Sequence, residues 1–284
     1  MKGIILAGGA GTRLNPITLV TSKQLLPVYD KPMIYYPLSV LMSAGILDIL
    51  IITTSRDQNA FYELLGNGNQ WGISLTYATQ PEPKGIAEAF IIGEHFINNS
   101  EVALILGDNL FWPNPLKRGM ADVGRNKSAV IFSQTVSNPE CFGVIEKDEF
   151  GRIISIEEKP KHPKSNKVSV GLYIYEPSVV SVAKSLKPSS RLEYEITDIN
   201  NYYINQGLLE CSELKKGSAW LDTGTIDSLM DAAEFVKAVQ KRQGILIGSP
   251  EEVAYSNSWI TKSQVKNLAN KMGKSLYADF LRKL

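Results

Sequence analysis

The sequence predicts an α/β fold: a mainly parallel mixed sheet flanked by helices, with a helical appendage at the C-terminus. Three observations carry this. Apolar runs of strand length alternate with helical stretches through most of the 284 residues, the pattern of a sheet covered on both faces. A glycine-rich loop follows the first apolar run without a break. Beyond Asp227 the strand pattern stops and helical stretches take over.

The elements follow in order. Lys2–Ala7 reads as a buried strand, and Gly8-Gly9-Ala10-Gly11-Thr12-Arg13-Leu14 is the loop after it. A helix over 33–44 leads to a second strand at 46–53, and a third follows at 75–80. A helix over 86–96 precedes Val102–Leu106, an apolar strand that ends in Gly107-Asp108-Asn109. Ala129–Thr135 continues the sheet. Residues 142–147 and 152–157 flank Asp148-Glu149-Phe150-Gly151, a hairpin whose acidic turn ends in glycine. A strand over 168–175 and a helix over 196–206 complete the core. Two further helices are predicted at 228–242 and 262–281, separated by a loop at Gly248-Ser249-Pro250. These signals divide the chain into an α/β core at 1–226 and a helical part at 227–284 packed on it, one compact unit overall.

Composition narrows the function. The formal net charge is +1, so neither a nucleic-acid footprint nor a basic membrane-binding face is expected. No apolar run approaches the ~20 residues of a membrane span, and with the first strand opening at residue 2 no leader peptide is expected. The two cysteines, Cys141 and Cys211, lie far apart, which suits a reducing cytoplasm. His95 and His162 are the only histidines. The first sits in a helical stretch and the second in a lysine-rich loop, a poor basis for zinc or histidine catalysis.

The glycine loop points to a polyanion. Glycines let backbone N–H groups approach and face phosphate oxygens, and Arg13 adds a permanent cation to the loop. Lys23-Gln24 brings a second cation and an amide. The loop is neither the dinucleotide fingerprint, because Leu14 stands where a third glycine belongs, nor a P-loop, because no Gly-Lys-Ser/Thr closes it. In open α/β sheets ligands sit beyond the carboxyl ends of the strands. Topology therefore brings together the glycine loop, Gln80 and Asp108. The carboxamide of Gln80 offers a donor and an acceptor, matching the imide edge of thymine or uracil. Taken alone, Asp108 also reads as a solvated strand-end aspartate, and Asp222 as a turn former.

With Gly8–Leu14 and Ser22-Lys23-Gln24-Leu25-Leu26-Pro27-Val28-Tyr29-Asp30-Lys31-Pro32-Met33 in view, the chain resembles the sugar nucleotidyltransferases, and within them the branch that joins dTTP to glucose 1-phosphate. Leu106-Gly107-Asp108-Asn109, Glu157-Glu158-Lys159-Pro160, Glu195-Ile196-Thr197-Asp198 and Trp220-Leu221-Asp222-Thr223-Gly224-Thr225 extend the likeness over nearly the whole chain. The resemblance implies the Rossmann-like nucleotide-diphospho-sugar transferase fold and a Mg²⁺-dependent in-line transfer giving dTDP-glucose and pyrophosphate. It further implies that Gly8, Gly11, Thr12, Arg13, Lys23, Gln24, Gln80, Gly85 and Asp108 bind the nucleotide. Gly143, Glu158, Lys159 and Arg191 bind the sugar phosphate, and Asp108 and Asp222 hold Mg²⁺. Arg13, Lys23 and Lys159 are then the catalytic cations. The family's homotetramer, its inhibitory nucleotide site between subunits and its place in dTDP-rhamnose synthesis are implied in the same way. The chain departs from the family pattern at Lys84, Phe142, Val168-Ser169-Val170-Gly171 and the run Arg191–Glu195, all around the base and sugar pockets. A uridylyltransferase, a transferase for another hexose phosphate and a non-catalytic nucleotide-sugar sensor are the competing readings.

Overall fold

In a computed structural model of the chain, residues 1–122 and 128–284 are described. In chain order the strands are β1 (Lys2–Ala7), β2 (Pro27–Val28), β3 (Lys31–Pro32), β4 (Asp48–Thr53), β5 (Ser74–Thr79), β6 (Val102–Leu106) and β7 (Asn109–Trp112). They continue with β8 (Ala129–Thr135), β9 (Gly143–Lys147), β10 (Ile153–Glu158), β11 (Lys167–Tyr175), β12 (Leu209–Glu213) and β13 (Ala219–Asp222).

The central sheet runs β10-β9-β11-β6-β1-β4-β5, with β8 added to β11 and β12 to β8. β5, β4, β1 and β6 are mutually parallel. β11 opposes β6, β8 and β9, and β10 opposes β9, while β12 is parallel to β8. Among the described residues, only β10 and β11 therefore run against the common direction, as a mainly parallel mixed sheet requires. Ala7 lies level with Thr53, and Leu6 with both Ile52 and Leu106. The loops after β1, β4, β5 and β6 thus open on one rim.

Residues alternate between the two faces with the strand period of two. Ile5, Ile49 and Ile51 pack on one side with Leu38 and Phe61; Ile4, Leu50 and Ile52 pack on the other with Phe90 and Tyr203. Each such fully buried side chain contributes roughly 1.5–3 kcal/mol relative to exposure. The first cluster also takes in Leu246, Ala254, Ile260, Tyr277 and Leu281, so the C-terminal helices share the core beneath the helix Tyr35–Ser43.

Several predicted helices differ in extent. The stretch 86–96 divides into Glu88–Ile92 and Glu94–Ile97 at Gly93, where an added Cβ would come within 2.9 Å of the Ala89 carbonyl oxygen and 3.0 Å of Ile4. The stretch 262–281 is two helices, Lys262–Lys271 and Leu276–Leu281, because Gly273 turns left-handed at φ 68° and Ser275 caps a new start. Pro250 belongs to a helix, Pro250–Ser256, in which Ser249 caps and proline takes the first turn, where its missing N–H costs nothing. The helix predicted at 228–242 is Ile226–Gln243, opened by a reciprocal Thr225/Ser228 cap and closed by Gly244. The strands β7, β12 and β13 were not evident from periodicity. They are short, and β13 pairs only with β7, outside the main sheet.

Candidate active site

The β7–β13 ribbon builds the acidic centre. Asp222 pairs with Asn109 across the two strands, which sets Asp222 beside Asp108. The Thr223 hydroxyl and N–H both bond to the Asp108 carbonyl, at 2.8 and 3.2 Å. The Asn109 amide donates to Asp108 Oδ1 at 2.9 Å, and Trp220 Nε1 fixes that amide by donating to Asn109 Oδ1 at 2.6 Å. Gly171 makes room for this relay, because a Cβ there would lie 2.6 Å from Asn109 Oδ1.

The cations converge on the same carboxylates. Lys23, in the short turn Lys23–Leu25, forms an ion pair with the other oxygen of Asp108. Arg13 spreads its guanidinium over Gly224, so close that a Cβ would fall 2.9 Å from its nitrogen. Burial alone pushes Asp108 up, but Lys23, the Asn109 amide and its own backbone outweigh this and hold the carboxyl below its ordinary value. Asp222 is pushed up to about 6 by burial and by the neighbouring Asp108 charge, which Lys23, Arg13 and Lys159 only partly offset.

A cavity of about 250 Å³ opens over this centre, with Arg13, Asp108, Asp222, Glu158, Lys159 and Trp220 in its wall. A larger cleft of about 560 Å³ lies elsewhere, between the β9–β10 hairpin and β12. It contains none of the predicted site residues. Among the residues that the resemblance gives to the sugar phosphate, the Lys159 N–H bonds to the Phe142 carbonyl at 2.9 Å, which aims an exposed lysine side chain from a left-handed backbone (φ 47°). Glu158 accepts from Thr197 at 2.7 Å, and a Cβ on Gly143 would stand 3.3 Å from the same carboxylate oxygen. Arg191 clasps Glu195 with two nitrogens, at 3.0 and 2.7 Å, and reaches Glu158 at 3.6 Å. Its guanidinium is therefore already engaged with acids. Phe142 packs its ring edge-on against Trp220, 5.0 Å between centroids; Lys84 pairs with Glu82 at 3.0 Å, largely in solvent.

The glycine loop lies between this cavity and Gln80. Among the described residues, no hydrogen bond is donated by the backbone N–H groups of Gly9 through Arg13. The loop is braced instead through the Gly11 carbonyl, which accepts from the Thr18 hydroxyl at 2.8 Å. Thr12 and Arg13 are exposed. Gln24 is buried under the rim, its amide oxygen accepting from Ser22 at 2.6 Å, so it supports the loop from below. Gln80 is also buried, and its oxygen sits against Gly8, where a Cβ would lie 2.5 Å away. At Gly85 (φ 104°) the space of a side chain is filled by the Tyr194 backbone, 2.4 Å from a Cβ.

Two neighbouring carboxylates, Asp222 at the end of β13 and Asp108 in the turn just before β7, one raised by burial and by the other's charge, suit a hard divalent cation such as Mg²⁺. That ion takes one or two carboxylates and completes its octahedron with water and substrate phosphates. Among the described residues no group of three or more His, Cys, Asp or Glu side chains converges. Asn109, Trp220, Thr223 and Gly224, which brace Asp108 or lie under Arg13, are neighbours that sequence reasoning passed over. They lie inside motifs already singled out, but their partners are distant in the chain.

Sheet, loop and paired carboxylates together define a nucleotidyl-transferring α/β protein, and the comparisons agree. The sequence pattern of the Nucleotidyl transferase family matches residues 2–239, and the chain belongs to that family. It is 50% identical over 284 residues to a glucose-1-phosphate thymidylyltransferase of Mycolicibacterium smegmatis, covering 100% of this chain and 99% of that one. It is 52% identical over 285 residues to the enzyme of that name from Neisseria meningitidis, with the same coverage. A UDP-glucose pyrophosphorylase solved with UDP-glucose superposes with a TM-score of 0.75 at 25% identity, covering 85% of this chain and 98% of that one. Among the described residues, no helix is long and apolar enough to cross a membrane.

Proposed function

We propose that the protein transfers a thymidylyl group from dTTP to α-D-glucose 1-phosphate, giving dTDP-glucose and pyrophosphate. An oxygen of the sugar phosphate attacks the α-phosphorus in line. The new P–O bond forms as the bond to the pyrophosphate oxygen breaks, and the leaving group carries that electron pair away. The observation that carries the reading is the facing pair Asp108 and Asp222 ringed by Arg13, Lys23 and Lys159. Two polyanions repel each other, so positioning and charge neutralisation are the protein's main tasks.

In this reading the free N–H groups of the Gly8, Gly11 and Thr12 loop, with Arg13 and Lys23, take the triphosphate, over a floor that Gln24 supports. Lys159 neutralises the sugar phosphate. Glu158, held by Thr197, accepts from sugar hydroxyls; Gly143 keeps that carboxylate's space open, and Arg191 orients it from the rim. Gln80 reads the base, with Gly85 shaping the turn beside it. Asp108 and Asp222 would hold Mg²⁺, which when bound supplies Lewis-acid polarisation of the α-phosphate. Lys23 then passes from Asp108 to the substrate phosphates.

The resemblance further supports a cytoplasmic homotetramer with an inhibitory nucleotide site between subunits, acting at the first step of dTDP-rhamnose and related deoxysugar synthesis. It also supports a division into a catalytic core at 1–226 and a helical part at 227–284. A uridylyl activity is the second reading, because the Gln80 oxygen beside Gly8 fits uracil as well as thymine. Pyrophosphate release over a matrix of triphosphates and sugar 1-phosphates tests both. Release should require a triphosphate, a sugar 1-phosphate and Mg²⁺ together, with dTTP and glucose 1-phosphate preferred. Release that ignores the sugar phosphate would remove the transferase assignment.

A further inference from the structure

We infer that Glu88 is a specificity-determining positioning residue: it locks the Gln80 amide so that only a hydrogen-bond acceptor faces the nucleobase. The inference rests on the proposal that Gln80 reads the base. A free carboxamide can turn over and offer either its donor or its acceptor edge. At Gln80 that choice is removed. Its Nε2 donates to Glu88 Oε2 at 2.7 Å and to the Gly85 carbonyl at 3.1 Å. Both partners are acceptor oxygens, and the amide nitrogen carries two protons for them. A turned amide would set its own oxygen against both, leaving three acceptors facing one another without a proton between them.

Both donors of Gln80 are therefore spent inside the protein, and the oxygen is left on the side of Gly8. The residue is buried, so water does not compete freely for either edge. Its backbone is held as well, through a 2.8 Å bond from its N–H to the Thr53 carbonyl at the end of β4. Glu88 is the first residue of the helix Glu88–Ile92 and is half-buried, so the locking carboxylate comes from a rigid element. The acceptor it exposes matches a base with a proton on its ring nitrogen between two carbonyls, as in thymine and uracil. Cytosine carries a lone pair at that nitrogen and would meet oxygen with nitrogen, two acceptors in a buried place. Glu88 touches no substrate in this scheme; it sets which bases Gln80 tolerates.

The test is the ratio of kcat/KM for dTTP over dCTP, read by pyrophosphate release with glucose 1-phosphate and Mg²⁺ in the full-length protein. Removing a charged partner of a hydrogen bond is worth about a factor of ten or more. Glu88→Ala should lower the dTTP:dCTP ratio at least about tenfold, because only the longer 3.1 Å bond to the Gly85 carbonyl then opposes turning of the amide. Glu88→Ser provides a second variant with the same expectation should the first fold poorly. Glu88→Gln retains an acceptor oxygen and should restore the ratio to within about twofold of the wild type, a merely conservative repair. A ratio unchanged in Glu88→Ala and Glu88→Ser, or an equal fall for both nucleotides, overturns the inference. Gln80→Ala separates the two levels. If that variant keeps the wild-type ratio, the reading of Gln80 as base contact fails. If it collapses the ratio while the Glu88 variants do not, only the role of Glu88 fails.

Discussion

Gly224→Ala isolates the position of Arg13 from its charge. The backbone at Gly224 needs no left-handed conformation, and helix Ile226–Gln243 begins only two residues later, with its own cap at Thr225. The added methyl would meet the Arg13 guanidinium at 2.9, 3.2 and 3.3 Å. Carbon and nitrogen rest near 3.5–4.0 Å, so the guanidinium must retreat by roughly half an ångström to one ångström. It can do so cheaply, because it is the far end of a flexible, exposed side chain. Stability should therefore hardly move, with a melting temperature within about 2 °C of the wild type, as for surface changes of under about 0.5 kcal/mol. Catalysis should respond, because misplacing a positioned group by about 1 Å can cost about a hundredfold. The expected fall in kcat is between about tenfold and about a hundredfold, smaller than for Arg13→Ala, which removes about 3–4 kcal/mol of transition-state stabilisation. Single-turnover pyrophosphate release beside a thermal melt reads both quantities. A variant with wild-type kcat would show that the guanidinium over Gly224 is not where charge develops, and the assignment of Arg13 would fall.

Asp108→Asn and Asp222→Asn should each abolish turnover and weaken Mn²⁺ binding, measured by electron paramagnetic resonance, while circular dichroism stays native; normal Mn²⁺ affinity in both would sink the metal assignment. Lys159→Ala should raise KM for the sugar phosphate far more than for the triphosphate, and a defect confined to the triphosphate would reverse the division of the pocket. At the other end of the molecule, burial raises Glu251 above its ordinary value, with Tyr277, its own backbone, Trp71 and Lys31 drawing it only partly back. A raised carboxyl stabilises the fold fully below its unfolded value and loses that contribution as pH climbs through its folded value. Glu251→Gln keeps a partner for Tyr277 and should flatten the fall in melting temperature as pH rises above the ordinary glutamate value; an unaltered slope would show that folding does not shift the titration of this carboxyl.

The parallel half of the sheet was legible because its strands are short apolar or alternating runs flanked by glycine or polar punctuation: Lys2–Ala7 and Val102–Leu106 match their predicted bounds. The glycine loop was legible for the same reason, since its conformation resides in local backbone. The ribbon of β7 and β13 was not, because its four-residue strands have no periodicity to detect and owe their pairing to a partner far along the chain. Asn109 and Trp220 stayed hidden for that reason: their roles are made by each other, not by spacing. Gln80 shows the remaining limit. The residue type alone offers a donor and an acceptor, whereas in the fold both donors go to Glu88 and Gly85, which only the fold brings to it.

The C-terminal helices bear on the acidic centre through a buried polar knot. Lys31 donates to Gln240 at 3.1 Å, Gln240 donates to Asp30 at 3.0 Å, and the Ile247 N–H donates to Gln240 at 2.9 Å. Asp30 and Lys31 continue the segment that carries Lys23, whereas Gln240 lies on the helix that begins four residues after Asp222. Two strands of four residues do not hold two carboxylates together against their mutual repulsion. The helix that follows Asp222 is pinned at its far end by this knot and along its length by Ala232 and Val236, which pack with Val28, Met33 and Leu110. The same cluster thus fixes the segment bearing Lys23, the strand after Asp108 and the helix after Asp222. The charge cluster is held by apolar burial beneath it as well as by its cations, and this is why two adjacent carboxylates can stand in the folded protein before any substrate arrives.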